Sequence, residues 1–190
     1  MNDSIKSELR SFYKSVRNSI NQDVQEEKSK IITDLFMQNF SFANNYFTYL
    51  SFGSEVRTGD IIHKLREKHK NILIPKCDTD KLTMSSVRYC ADDFLQKNSY
   101  GILENNNADL FGEKIDVILL PALTADRQGN RIGFGKGYYD KFINSLNYRP
   151  ILIALCYKEQ IFDGVLPNEE HDAKLDYIVT DDGIIRICEK

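Results

Sequence analysis

The sequence is poor in the features that would set it apart from an ordinary protein of a reducing, aqueous compartment. It has four cysteines, Cys77, Cys90, Cys156 and Cys188, far apart and with no Cys-x-x-Cys pair. A zinc site is therefore not expected, and the cytoplasm is the simplest home. No apolar N-terminal segment of the secretory kind is present, and no apolar run is long enough to cross a bilayer, so no membrane partner is expected. Excess positive charge is also missing. A formal net charge of −3 gives no global pull towards nucleic acid. There is no internal repeat and no linker, and the Asn105-Asn106-Asn107 run reads as loop. The 190 residues suit a single domain spanning 1–190. A chain of this length buries roughly 70% of its unfolded surface and needs no disulfide or metal staple.

Against that background one stretch stands out: Asp126-Arg-Gln-Gly-Asn-Arg-Ile-Gly-Phe-Gly-Lys-Gly-Tyr-Tyr-Asp140. It follows the apolar run Val117-Ile-Leu-Leu120, read as a buried strand ended by Pro121. It precedes residues 138–146, read as a helix. A strand, a glycine-rich loop and a helix start make an anion site, because the first N–H groups of a helix lack internal partners and its dipole favours negative charge. Gly133, Gly135 and Gly137 let the main chain bend through left-handed conformations and approach a ligand closely. Arg131 and Lys136 add positive charge there, and Arg127 is a further candidate. Asp140, a carboxylate beside a phosphate site, points to an intervening cation such as Mg²⁺. The alternative is a surface loop whose glycines serve only tight turns. The stretch is not a P-loop, since no Gly-Lys-Ser/Thr follows at the right spacing. Nor is it the dinucleotide fingerprint, whose third glycine would come one residue later.

The rest of the chain alternates helices and strands. Residues 3–20 read as a helix capped by Asp3 or Ser4, with Ile5, Leu9, Phe12, Val16 and Ile20 at helical spacing. Lys6 and Arg10 share one of its faces, either as a solvated pair or as two phosphate ligands. A second amphipathic helix covers residues 23–39. Residues 46–52 have strand character, and Thr58 is a candidate cap for a helix over residues 59–69. Residues 71–75, 81–89 and 150–156 read as strands, Cys156 being a buried hydrophobe. A helical turn over 158–162, a polar loop over 165–172 and a hairpin over 177–187 complete the order. The two best strands are apolar throughout. That predicts an α/β fold with a mainly parallel open sheet and helices on both faces, its ligands bound beyond the carboxyl ends of the strands.

The stretch from Pro121 to Asp140 resembles the signature of the 5-formyltetrahydrofolate cyclo-ligase (5,10-methenyltetrahydrofolate synthetase) family. The resemblance spans the chain: Lys6-x-x-x-Arg10, Glu55-Val-Arg-Thr58, Tyr100-Gly-Ile-Leu-Glu104 and Leu166-Pro-Asn-Glu-Glu-His-Asp172 with Asp176 are similar to the family's other segments. Asn105 departs from the pattern where Pro is usual, and Ala125 where an aromatic is common.

The resemblance implies conversion of 5-formyltetrahydrofolate and ATP to 5,10-methenyltetrahydrofolate, ADP and phosphate, with Mg²⁺, through a phosphorylated formyl imidate. It implies that Lys6 and Arg10 contact ATP phosphates and that Arg131, Ile132, Gly133, Phe134, Gly135, Lys136, Gly137, Tyr138 and Tyr139 wrap the nucleotide. Arg131 and Lys136 would neutralise the charge developed in transfer. Asp140 and Asp172 would hold Mg²⁺. Leu50, Glu55, Phe134, Gly135, Lys136, Gly137 and Tyr138 would face the folate, with Met84 a lesser candidate. One of Tyr138 and Tyr139 is expected in the core, and His171 is read as structural. The partners expected are the small molecules ATP and 5-formyltetrahydrofolate, with no nucleic acid, acting on a monomer. Two alternatives stay open: another ATP-dependent small-molecule ligase or kinase on the same scaffold, and a non-catalytic phosphate- or RNA-binding module.

Overall fold

The computed structural model of the chain describes residues 2–90, 96–97, 103–104 and 110–187. Two helices open it, α1 (Asn2–Ser19) and α2 (Gln22–Phe40). Strand β1 (Asn45–Phe47) is followed by α3 (Gly59–Glu67) and the antiparallel pair β2 (Asn71–Asp78) and β3 (Thr83–Arg88). A two-stranded ribbon, β4 (Gln96–Lys97) with β5 (Leu103–Glu104), lies aside from the main sheet. Next come β6 (Val117–Pro121), β7 (Thr124–Asp126), β8 (Arg131–Ile132) and α4 (Tyr138–Ser145). After β9 (Ile151–Leu155) a single 3₁₀ turn (Lys158–Gln160) leads to β10 (Ile161–Phe162), and the hairpin β11 (Tyr177–Thr180) and β12 (Gly183–Arg186) ends the fold.

The main sheet has the order β12-β11-β9-β6-β1-β2-β3. The five strands from β11 to β2 are parallel, and only the two edge strands are antiparallel. Alternate side chains of each strand enter opposite cores, as the two-residue period requires. Val117, Leu119, Ile153, Leu155, Tyr46, Ile72 and Val179 meet Ile32, Phe36, Ile61 and Leu65 of α2 and α3 on one face. Ile118, Leu120, Leu152, Ala154, Phe47, Leu73 and Ile178 meet Phe142 of α4 on the other. Burial on both faces explains why β6 and β9 read as unbroken apolar runs. Each fully buried Leu or Ile contributes about 1.5–3 kcal/mol.

Several local expectations need correcting. Asp3 and Ser4 lie within α1, and its inward face is not the apolar stripe. Ile5 and Phe12 are 43% and 60% exposed, while Lys6, Tyr13 and Arg17 are buried. Thr58 precedes α3 without capping it. Its hydroxyl donates to Tyr49 O at 2.8 Å and accepts from Ser51 N at 3.2 Å, which fastens the chain that leaves β1. That strand stops at Phe47 where strand character to residue 52 was expected. β2 runs on past it, and Pro75, which has no N–H to give, sits beyond the last β1 partner, Leu73. The turn to the glycines is also not direct, because the β7–β8 hairpin intervenes. Ala125 is fully buried in the middle strand of the small sheet β10-β7-β8. Asn105 and most of the segment from Tyr100 to Glu104 lie outside the described residues, as does Cys188.

Candidate active site

The sheet grows outward in both directions from β1, towards β2 on one side and β6 on the other. Such a switch point opens a crevice beyond the strand ends. The early end of β1 widens it into a cleft of about 690 Å³. Its walls are α1, the loop after β1, the extension of β2, the end of β6, the glycine loop with the start of α4, and the polar segment around Glu169 and Asp172.

The cationic wall is α1. Lys6, Arg10, Lys14 and Arg17 all line the cleft. They are four, four and three residues apart, one helix face running about 16 Å at 1.5 Å per residue. Lys6 Nζ donates to Glu169 Oε1 and Asp172 Oδ2, both at 2.9 Å. Burial alone would lower the Lys6 pKa, but these two bonds and the carboxylate charges outweigh it, and the net shift is upward. Burial would likewise raise Asp172. Its bonds from Lys6 Nζ and Glu169 N, with the charge on Lys6, bring it down. Arg10 Nε donates to Gly133 O at 3.3 Å.

The glycine loop has a specific backbone requirement at two of its three glycines. Gly135 has φ +92° and Gly137, the residue before α4, has φ +68°. Gly133 is not in that region, and a Cβ there would meet nothing within 4 Å. A Cβ on Gly135 would lie 3.1 Å from the Arg10 guanidinium, so the second glycine makes room for the α1 cation. Lys136 is exposed between them and lines the cleft. Phe134 is 44% exposed and stacks on Phe52 with ring centroids 6.1 Å apart.

Arg131 and Asp140 pair with each other. Arg131 Nη2 lies 3.0 Å from Asp140 Oδ1, Arg131 Nη1 donates to Ala173 O at 3.1 Å, and Asp140 Oδ1 also accepts from Ala173 N at 3.0 Å. These contacts clamp the polar segment to the start of α4. Asp140 and Asp172 are hard oxygen donors on one cleft, each already answered by a cation. Among the described residues, no group of three or more His, Cys, Asp and Glu is placed to hold a metal ion. Two carboxylates suit a Mg²⁺ that takes its other ligands from phosphates and water.

The opposite wall is less polar. Leu50, Pro75, Cys77, Met84 and Tyr139 line it. Glu55 lies among them, 4% exposed, accepting from Phe52 N at 3.1 Å. Burial pushes its pKa up to about 7, partly offset by that N–H and by Arg17. A solvated loop acid, the other reading of Glu55, does not fit this placement. Tyr139 is the core member of the tyrosine pair. It faces Phe47 at 6.1 Å, and burial drives its pKa far up. Cys156 is buried as expected, its thiol pushed up to about 12 by burial.

Every residue expected at the site borders this cleft except Arg127, which is exposed on the β7–β8 turn. His171 Nε2 lies at the rim, 3.3 Å from Glu169 Oε2. The sequence reading missed Lys14, Arg17 and Glu169. The first two continue the Lys6–Arg10 spacing, and that was the available signal. Glu169 could not be told from its neighbours in a polar loop.

A model of the 5-formyltetrahydrofolate cyclo-ligase family matches residues 2–181. The chain belongs to that family. It is 30% identical to the mouse 5-formyltetrahydrofolate cyclo-ligase over 193 residues, covering 94% of this chain and 95% of the mouse protein. It is 28% identical to the Haemophilus influenzae 5-formyltetrahydrofolate cyclo-ligase over 182 residues, 92% of this chain and 97% of the other. The NMR structure of Aquifex aeolicus 5,10-methenyltetrahydrofolate synthetase superposes with a TM-score of 0.84 at 24% identity, covering 98% of this chain and 94% of that one. This last likeness bears on the fold. Among the described residues, no helix is long and apolar enough to cross a membrane.

Proposed function

We propose that the chain is an ATP- and Mg²⁺-dependent 5-formyltetrahydrofolate cyclo-ligase that forms 5,10-methenyltetrahydrofolate and releases ADP and phosphate. The observation that carries this reading is a single cleft with two unlike walls. A row of cations and a glycine loop stand on one side, and an aromatic and aliphatic wall holding a buried carboxylate stands on the other. A polyphosphate suits the first wall and a pterin the second.

The chemistry asks little covalent work of the protein. The formyl oxygen attacks the γ-phosphorus, forming one P–O bond as the bond to ADP breaks. N10 then attacks the activated formyl carbon and loses its proton, and phosphate leaves with the C–O bond as the ring closes. Such transfer depends on positioning and charge neutralisation. Lys6, Arg10 and Lys136 face the phosphates in this reading, with the N–H groups of residues 132–139 around them. Arg131, engaged with Asp140 and Ala173 O, fixes the wall from which the glycine loop springs. Leu50 and Met84 pack the pterin side, Glu55 takes donors on the folate's polar edge, and Phe134 and Tyr138 stand where the two substrates meet. Asp140 and Asp172 would hold Mg²⁺, which adds charge neutralisation across the phosphates when bound.

A stoichiometry measurement tests this. One ADP and one free phosphate per methenyl product, each dependent on folate, supports the cyclo-ligase. A stable phosphorylated product in place of free phosphate supports a kinase on the same scaffold. RNA retention without ATP turnover, falling steeply with salt, would support the third reading. The carboxylates that answer Lys6 and Arg131 argue against it.

A further inference from the structure

The most deeply buried cation of α1 is Arg17, at 4% exposure, and the phosphate chemistry above makes no use of it. Its guanidinium ties α1 to three other segments. Nε donates to Ser54 Oγ at 3.1 Å, and Nη1 donates to Ala122 O, just past β6, at 3.4 Å. Nη1 also lies 4.0 Å from Glu55 Oε1, and Cζ is 5.5 Å from the centroid of the Phe134 ring. A buried cation needs an answering charge as well as neutral acceptors. Glu55, equally buried, supplies it. At 4.0 Å the pair is beyond hydrogen-bonding distance. Glu55 Oε1 therefore keeps its lone pairs for a donor on a ligand, while Oε2 is held by Phe52 N.

We propose that Arg17 is a positioning residue for the folate side of the cleft: it orients Glu55 in the cleft floor, favours its ionised form, and seats Phe134 of the glycine loop against the same guanidinium. The inference rests on the reading of Glu55 as the folate-edge ligand. The other titratable groups around the pair do not substitute for Arg17. Tyr49 on the same loop and Tyr139 of α4 face Glu55, and Cys156 past β9 faces Arg17. Burial pushes the pKa of all three upward and leaves them neutral. The positive charge on Arg17 acts on Glu55 to favour its ionised form.

The test titrates the Glu55 carboxyl by ¹³C NMR in the wild type and in Arg17→Gln, a readout independent of turnover. The Glu55 midpoint is expected to rise by about one pH unit or more, as an opposite charge within 4–6 Å is removed. An unmoved midpoint in folded Arg17→Gln overturns the proposal. Kinetics give the second arm. Arg17→Gln should raise KM for 5-formyltetrahydrofolate about tenfold, and Arg17→Gln/Glu55→Gln should be no worse than Glu55→Gln alone. Fully additive losses contradict the coupling. Should Arg17→Gln not fold, Arg17→Lys keeps the charge without the fork. It should raise KM for the folate while leaving KM for ATP within about twofold, and an equal rise in both overturns the assignment. If the wild type turns over no folate, the function proposed above fails, and the NMR titration still decides the Arg17–Glu55 coupling.

Discussion

Replacing the loop glycines one at a time by alanine separates backbone need from ligand chemistry. At Gly135 a side chain meets two obstacles. The backbone sits at φ +92°, and the new Cβ would lie 3.1 Å from the Arg10 guanidinium. A residue held in a sparsely populated backbone region costs of order 1–3 kcal/mol. Displacing Arg10 from Gly133 O removes a hydrogen bond worth about 0.5–1.5 kcal/mol. Together these give roughly 3 kcal/mol, and at roughly 2–4 °C per kcal/mol for a chain of this size Tm should fall about 6–12 °C. Gly137→Ala has φ +68° and open space around the Cβ, so it carries the backbone part alone, about 1 kcal/mol. Gly133→Ala has neither obstacle and should unfold within about 0.5 kcal/mol of the wild type. Thermal and urea unfolding read the series directly. A Gly133→Ala variant as unstable as Gly135→Ala, or a Gly135→Ala variant as stable as wild type, refutes the reasoning.

Three further outcomes are expected. Lys136→Ala, at an exposed position, should lose methenyltetrahydrofolate formation while keeping its melting curve; full activity would contradict the role given to it. Glu55 has a folded pKa of about 7 against an ordinary 4.5, so the folded state binds this proton more tightly. Its contribution to stability is therefore lost as pH rises between those values, by about 3 kcal/mol. Urea unfolding should show Glu55→Gln gaining on the wild type by that order between pH 4 and pH 8, and a pH-independent difference would count against the buried charge. Asp126 is fully buried and accepts from Gln128 N, Asn130 N, Asn130 Nδ2 and Leu166 N. Asp126→Ala strands these donors and should cost about 3 kcal/mol or more in urea unfolding; a neutral substitution would show that the β7–β8 turn does not depend on it.

How far the sequence reveals this molecule depends on how local each signal is. The apolar runs of β6 and β9 carry their own burial, and the Asp181-Asp182-Gly183 turn its own hairpin, so the main sheet was legible. Where a tertiary contact decides, the reading drifted. In α1 the apolar stripe was visible, yet the helix turns Lys6 and Arg17 inward because Glu169, Asp172 and Glu55 answer them from distant segments. Thr58 has the chemistry of a cap, but the loop after β1 takes its hydroxyl. Residues 46–52 have the composition of a strand, yet only the start of that run pairs, and the chain leaves the sheet after Phe47. At the site, the residues that the resemblance singled out all line one cleft. The resemblance did not show that Arg131 and Asp140 hold each other, since a pairing between two cleft residues leaves no mark in their spacing.

The most direct test of the account is absorbance at the methenyltetrahydrofolate band after the protein is mixed with 5-formyltetrahydrofolate, ATP and Mg²⁺. A rise is expected that needs all four components and disappears in Lys136→Ala. No rise from folded protein that still binds ATP, or a rise that persists without ATP, would contradict it.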